Sequence, residues 1–364
     1  MAFEGAVRLR TAALDDGDAI RQLQERNGLG SLDPLAWRRQ WEEYPYAAEF
    51  RDIPMGWVLV AGSGRVVGSL GNIHMLYDLG GNRIRGAIAT AWAVDAPHRG
   101  HSLQLMMAFL KQKGVGLCLN GSASPTASRV LRGMKMSRIP IPGYEVPCFW
   151  AARPSGFARA ALARRSVPAA AILSWPAGML LSARDVLLRS GRGRILSAMH
   201  RTGEFDHRFD TFWQNLSGGP RRLRAVRTSA VLDWRFGAAL RDGQAAVVTA
   251  TRDGALNGYA VLVRRQSPEL GMQLYDVADL QALRDEASTI RDLLLGAIGA
   301  AREDGMDAVK FLTGTPVKRA PATELRPYCY RLKFWQLYYR AGTPELGSAL
   351  SNADAWDFSP FDTY

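Results

Sequence analysis

The sequence predicts an α/β (α+β) chain of two similar halves, each a mixed, mostly antiparallel twisted sheet flanked by helices. A strand, two helices and three further strands follow one another in that order up to Val94. The last of these strands enters a loop with Pro97 and the pair Arg99-Gly100, and the chain leaves it as a Leu/Met/Phe-rich helical pattern. A strand pair, a strand, a helix and a strand then recur between Ala245 and Thr313, although no internal sequence repeat is visible. At 364 residues the chain is long for one domain and comfortable for two.

In order, Val7-Arg-Leu-Arg-Thr-Ala reads as the first strand, and Asp15 to Arg26 as an amphipathic helix with Ile20 and Leu23 at helical spacing, stopped by Asn27-Gly-Leu-Gly. A second helix, Pro34 to Glu43, carries Trp37 and Trp41 on one face, where they serve as core or as the wall of a substrate cleft. Trp57 to Ala61 and Arg65 to Leu76 pair around Gly62-Ser-Gly64, and Gly80-Gly-Asn turns the chain into Arg83 to Val94. Gly116 to Asn120 is the next strand, followed by a helix from Pro125 to Met134. Ile139 to Trp150, with three prolines, is expected to be an extended closing segment, and its Tyr144 is a candidate acid.

The middle of the chain is basic and then apolar. Arg153 to Arg184 contains no acidic residue, and Ser166 to Ala183 is uncharged. Small residues and two prolines argue against a bilayer span, so helices between the two halves are expected, one side packed and the other basic. Contact with an anionic membrane over residues 153–201 is the alternative, because Arg159, Arg164, Arg165, Arg184, Arg189, Arg192 and Arg194 flank the apolar run. The expected segments are 1–150, 151–204 and 205–364.

In the second half, strands Ala245 to Thr251 and Gly258 to Arg264 hinge at Arg252-Asp-Gly, and Met272 to Ala278, a helix from Ser288 to Gly305 and a strand Ala308 to Thr313 follow. The aromatic residues Tyr328, Tyr330, Phe334, Trp335, Tyr338 and Tyr339 read as strand core, and the tail from Asn352 is acidic and aromatic.

The net charge of +12 favours acidic partners: phosphorylated cofactors, nucleic acid or an anionic membrane face. Cys118, Cys148 and Cys329 are far apart and lack metal-ligand spacing, which points to a reducing compartment and no metal. No basic-then-apolar leader is visible at the N-terminus, so a cytoplasmic location is expected, with peripheral contact at the inner membrane face as an option.

The loop after Val94 has the layout of an anion site. The first N–H groups of a helix lack intrahelical partners and lie at the positive end of its dipole. Gly100 and Ser102 let a phosphate approach the main chain, and Arg99 adds a charge-assisted contact. Val94-Asp-Ala-Pro-His-Arg-Gly-His-Ser-Leu resembles the acyl-CoA loop of the GCN5-related N-acetyltransferase (GNAT) superfamily, a strand leading into Arg-x-x-Gly-x-Gly/Ala and a helix. Arg99 takes the first place, while Ser102 and Gln104 depart from the two small residues. Pro125-Thr-Ala-Ser-Arg-Val-Leu-Arg-Gly-Met resembles the superfamily's Asn-x-x-Ala-x-x-x-Tyr-x-x-x-Gly-Phe helix, with Arg129 at the tyrosine that often acts as general acid. Arg227-Thr-Ser-Ala-Val-Leu-Asp-Trp-Arg-Phe resembles a segment of bacterial tandem-GNAT proteins.

The resemblance implies an acyl-CoA-dependent N-acyltransferase acting on a small amine such as an amino sugar or an amino acid. Val94, Arg99, Gly100, His101, Ser102 and Leu103 would hold the cofactor, largely through their main chain, with Asn120 and Arg129 beside it. The acyl group would thread the gap where Ala91 to Val94 splays from Leu117 to Asn120, and Ala89, Ala91 and Ala93 would leave room for a chain longer than acetyl. An attacking amine must lose a proton, for which His74 is the first candidate base and Asp95 the second. In the second half the loop position reads Leu280-Gln-Ala-Leu-Arg-Asp-Glu-Ala, whose bulk and charge would repel a pyrophosphate. The tandem-GNAT architecture also resembles the peptidoglycan-bridge aminoacyl-transferases, which implies an aminoacyl-tRNA donor that the positive charge would suit, and a non-catalytic basic protein of a membrane surface is a third option.

Overall fold

The computed structural model describes residues 6–30, 34–168, 170–189, 197–268, 270–331 and 336–362. Phe334, Trp335, Arg192 and Arg194 lie outside the described residues. The chain opens with β1 (Arg8–Thr11), α1 (Gly17–Arg26) and α2 (Pro34–Glu42), then lays down β2 (Gly56–Val60), β3 (Val66–Leu79) and β4 (Asn82–Val94) as an antiparallel meander. It continues through α3 (Ser102–Lys111), β5 (Leu117–Ala123), α4 (Pro125–Gly133), β6 (Ser137–Arg138) and β7 (Cys148–Ala151). A helical hairpin, α5 (Pro154–Arg164) and α6 (Ala170–Arg189), leads to β8 (Ala198–Thr202), α7 (His207–Ser217), β9 (Leu223–Ala225) and the short helices α8 (Ser229–Leu232) and α9 (Ala238–Arg241).

The second meander is β10 (Ala245–Arg252), β11 (Ala255–Ser267) and β12 (Met272–Ala282). Its first turn is Asp253-Gly254, both at positive φ, as a tight hairpin that matches strand twist requires. After it come α10 (Ala287–Glu303), β13 (Ala308–Phe311), α11 (Pro316–Glu324), β14 (Tyr328–Cys329), β15 (Gln336–Ala341) and α12 (Pro344–Ala349).

These strands form two mixed sheets. The first runs β1-β2-β3-β4-β5-β15-β6, with β9 on the end of β3, and the second runs β14-β7-β13-β12-β11-β10-β8. The halves exchange strands. β15 from the far end of the chain pairs antiparallel with β5, and β7 from the first half pairs antiparallel with β13. Sheet membership therefore crosses the expected segments: the aromatic strand near the C-terminus completes the first sheet, and the end of the proline-rich segment completes the second.

Each sheet has its own helix on the outer face. Leu105, Met106 and Phe109 of α3 pack on the first sheet, and Ile290, Leu293 and Ala297 of α10 on the second. The inner faces share one core, in which Ile73 and Tyr77 of β3, Tyr259 and Val261 of β11, Phe209 and Phe212 of α7, and Trp356, Phe358 and Phe361 of the tail are buried together. The tail is thus an internal element of the fold.

The hairpin α5–α6 corrects one expectation. α6 has a packed side, but its outer side is apolar rather than basic: Ile172, Trp175 and Leu180 are exposed there. No helix among the described residues is long and apolar enough to cross a membrane.

Candidate active site

The site begins with a defect in β4. Ser69 pairs with Ala93 and Gly71 with Thr90, so Leu70 faces two residues, Ala91 and Trp92, and Ala91 takes a left-handed conformation (φ 49°). Such a bulge bends the strand and leaves backbone polar groups without a ladder partner. The parallel pairing of β4 with β5 runs from Gly86↔Leu117 to Ala89↔Asn120 and stops there. Beyond it β5 stays with β15, pairing Ala123 with Gln336. Leu117 to Asn120 is therefore still laddered, and the gap opens one step later than expected, between Thr90–Val94 and 121–123.

A cleft of about 500 Å³ occupies this gap. Trp92, Ala93 and Val94 form its floor, Arg99, Ser102 and Leu103 one wall, and Ser124, Thr126, Ala127 and Val130 of α4 the other. Leu29 and Leu103 are exposed at its rim. A 3-10 turn, Ala96–His101, feeds α3, and its N-cap residue His101 makes no side-chain cap. The turn runs on into the helix, and the Ser102 N–H donates to the Arg99 carbonyl. A Cβ placed on Gly100 would meet nothing within 4 Å, so the approach to the main chain is open. Among the described residues, Arg99 is the one charged side chain of the lining, and no carboxylate shares it. An anion fits that charge.

Gln104, the departure from the small-residue pattern, is exposed and turns toward His101 Nδ1 at 3.2 Å, outside the cleft lining. Arg129 is exposed on α4, and the adjacent Val130 faces the cleft in its place. Asn120 is buried on β5 at the point where the strands part.

A second cavity, of about 210 Å³, lies against the same strand. Thr90 and Ala91 line it, together with Ser69, Leu70 and Gly71 of β3, Ile20 and Gln24 of α1, and Trp37, Gln40 and Trp41 of α2. Gln40 and Ser69 are only 5% and 2% exposed, yet Gln40 Nε2, Ser69 Oγ and Trp41 Nε1 have no hydrogen-bond partner. Unsatisfied buried donors cost about 1 to 3 kcal/mol each, so three on one cavity mark a place where a ligand completes the bonding. Among the described residues, no titratable side chain lines this cavity.

The candidate acid and bases stand elsewhere. His74 is stacked on Phe50 (centroids 4.9 Å apart), lies edge-on to Trp41 at 5.7 Å, and has Nε2 3.3 Å from the Pro54 carbonyl oxygen. Burial pushes its pKa down to about 4. Asp95 accepts from Arg26 Nε (2.9 Å) and Asn27 Nδ2 (3.0 Å), which ties the end of α1 to the turn after β4. Burial acts to raise its pKa, and the Arg26 and Asn27 hydrogen bonds more than offset this and lower it. Tyr144 requires a correction: its side chain is buried in the shared core, edge-on to Phe358, rather than reaching the cleft, and burial raises its pKa.

Trp37, Gln40 and Trp41 follow i, i+3, i+4 spacing, so one face of α2 carries all three. A glutamine between two tryptophans on an apolar face was the available signal for the cavity. Ser69 and Thr90 gave none, because only the bulge brings them together.

The second half repeats the geometry and fills it. β12 is bulged at Ala278, pairs in parallel with β13 from Leu274↔Ala308 to Val277↔Phe311, and then parts from it. Lys318 Nζ of α11 bridges the gap to Gln281 Oε1 (3.2 Å) and to Asp357 of the tail. Arg227 binds Asp279 (2.8 Å) and Asp362 (2.9 Å), all fully buried. At the N-cap of α10 stands Glu286, which accepts from Arg252, Asn257, Ser288 and Thr289. Burial would raise its pKa, but these partners hold it at about 2. Among the described residues, no group of His, Cys, Asp and Glu is placed to hold a metal ion.

No family model matches the sequence, and no curated protein does. Solved structures match nearly the whole chain. A conserved protein of unknown function from Enterococcus faecalis, described as a probable N-acyltransferase, aligns with a TM-score of 0.56 at 11% identity, over 92% of this chain and 72% of that one. A GCN5-related N-acetyltransferase from Kribbella flavida aligns with a TM-score of 0.56 at 16% identity, over 94% and 72%. Another from Anabaena variabilis aligns with a TM-score of 0.54 at 12% identity, over 92% and 73%.

Proposed function

From a fold shared with GCN5-related N-acetyltransferases, we propose that this chain is an N-acyltransferase that takes an acyl group from coenzyme A in the first-half cleft. The observation that carries this reading is the placement of two cavities on consecutive residues of one bulged strand, Thr90–Ala91 on one side and Trp92–Val94 on the other. In this reading Arg99 and the exposed main chain at Gly100 hold the pyrophosphate, while Leu29, Leu103 and Val130 contact the apolar parts of the donor. The acyl thioester lies across the bulge, where main-chain groups polarise its carbonyl, and the acceptor approaches from the cavity behind. Nitrogen attacks the carbonyl carbon, the C–S bond breaks, and the departing thiolate takes the proton that nitrogen releases.

The acceptor cavity supports a narrower statement. Its donors, Gln40 Nε2, Ser69 Oγ and Trp41 Nε1, suit a ligand that offers oxygen acceptors. Among the described residues, its wall has no carboxylate to pair with an ammonium and no base to deprotonate one. The fitting acceptor is therefore an amine already neutral at pH 7, in a small polar molecule or at the end of a larger one. At about 210 Å³ the cavity is below the roughly 300 Å³ at which small-molecule sites usually begin.

Calorimetric titration with acetyl-CoA and a long-chain acyl-CoA tests the donor, and Gln40→Leu and Ser69→Ala test the acceptor side. Micromolar acyl-CoA binding retained in both variants, with acceptor KM raised, is the expected result. Absence of heat with any acyl-CoA would sink the reading. It would also turn attention to aminoacyl-tRNA, whose binding should fall steeply with salt.

A further inference from the structure

The outer face of α6 is apolar, and nothing among the described residues covers it. α5 rests on the second sheet, where Ala160 joins Met272, Leu274 and Ala308, and α6 rests on α5. Ser174, Gly178 and Asp185 face inward, with Gly178 so close to α5 that an added Cβ would meet the Ser155 Cα at 2.9 Å. Opposite them, Ile172, Trp175, Leu180 and Leu187 fall on one stripe and are 77%, 69%, 73% and 76% exposed. Six of the ten large apolar side chains exposed among the described residues belong to this helix. Such a patch marks an interaction site.

Its charge identifies the partner. Arg159, Arg164 and Arg165 of α5 are exposed, and Arg159 and Arg165 form no ion pair among the described residues. Arg164 lies over the Tyr330 ring at 3.6 Å, and Arg184, on the flank of the stripe, over Tyr328 at 4.2 Å. The acidic neighbour, Asp185, is turned inward and buried. The surface thus combines hydrocarbon and cations without an exposed carboxylate between Arg153 and Arg184. A second copy would set like charges against each other, whereas an anionic bilayer supplies both hydrocarbon and negative headgroups. With Pro176 inside it and too little apolar length to span, α6 is suited to lie in the plane of the interface.

We propose that the α5–α6 hairpin docks the protein on an anionic lipid bilayer, with Ile172, Trp175, Leu180 and Leu187 entering the headgroup layer and the arginines of α5 contacting lipid phosphates. This inference is independent of the acyltransferase reading. Flotation of the full chain with vesicles of phosphatidylcholine, alone or mixed with phosphatidylserine, tests it. Binding to the mixed vesicles that declines with added salt is expected. The double variant Trp175→Ser/Leu180→Ser should weaken it about a hundredfold, and Arg159→Glu/Arg165→Glu about thirtyfold. Both pairs are exposed, and circular dichroism and the melting temperature check that the variants stay folded. No binding by the unaltered protein, or binding indifferent to both variants, overturns the proposal. A dimer in light scattering that Trp175→Ser/Leu180→Ser dissolves, without vesicle binding, would assign the face to self-association instead.

Discussion

β4 enters α3, and β12 enters α10, through the same events: a bulge, a short parallel pairing with the next strand, and a parting of the two. α3 continues from the turn Ala96–His101, which borders a cleft containing Arg99. The N-cap position of α10 is Glu286, an anion supplied by the chain itself. Behind it, Lys318, Gln281 and Asp357 close the gap that the first half leaves as a cleft. One backbone design thus carries an open cleft beside Arg99 in one half and an internal ionic lock in the other. The side chains at the cap and in the gap decide which.

The contrast can be broken most severely in the second half. Arg227→Ala leaves Asp279 and Asp362 buried without their cation and should cost about 3 to 5 kcal/mol in urea unfolding. Because the tail shares the common core, both sheets should unfold together.

His74 sharpens the first half's side of the comparison through pH. Its folded pKa of about 4 lies below the unfolded value, so the unfolded chain takes up the proton first. Stability is complete above the unfolded pKa of about 6.5 and falls progressively as pH drops toward 4, by about 3 kcal/mol in all. His74→Phe should flatten the unfolding free energy across that window. An unchanged slope would mean that the ring is solvated.

Arg99→Ala tests the charge of the first-half cleft and should weaken acyl-CoA binding about tenfold by calorimetry, with little change in melting temperature. The smallest effect is expected from Glu286→Ala, which removes the internal anion of α10 at a cost of about 1 kcal/mol. It should create no acyl-CoA site, because the gap remains bridged. If heat appears on titrating this variant, the cap alone separates the two halves.

The wall of the first-half cleft was legible because it is local. Arg99, Gly100 and Ser102 lie within one turn of chain, and strand–turn–helix geometry follows from that spacing. The acid and base were not. His74 and Asp95 are polar residues near the right strand, but stacking on Phe50 and pairing with Arg26 engage them elsewhere. Tyr144 looked free in a proline-rich segment and is buried by Phe358, far along the chain. The acceptor cavity went largely unread because Gln40, Ser69 and Thr90 belong to three elements that meet only after the bulge forms.

By itself, the sequence determined the order of elements, the strand–turn–helix that places Arg99, the different residues at the matching turn of the second half and the basic, apolar character of the middle helices. Each rests on residues within a few positions of one another, where periodicity, turn chemistry and charge act directly. Tertiary structure alone decided the exchange of β7 and β15, the burial of the tail beneath both sheets, the empty hydrogen bonds around the cavity and the outward face of α6. Those depend on which surfaces meet. Edge strands take whatever partner completes their ladder, and apolar faces whatever neighbour covers them.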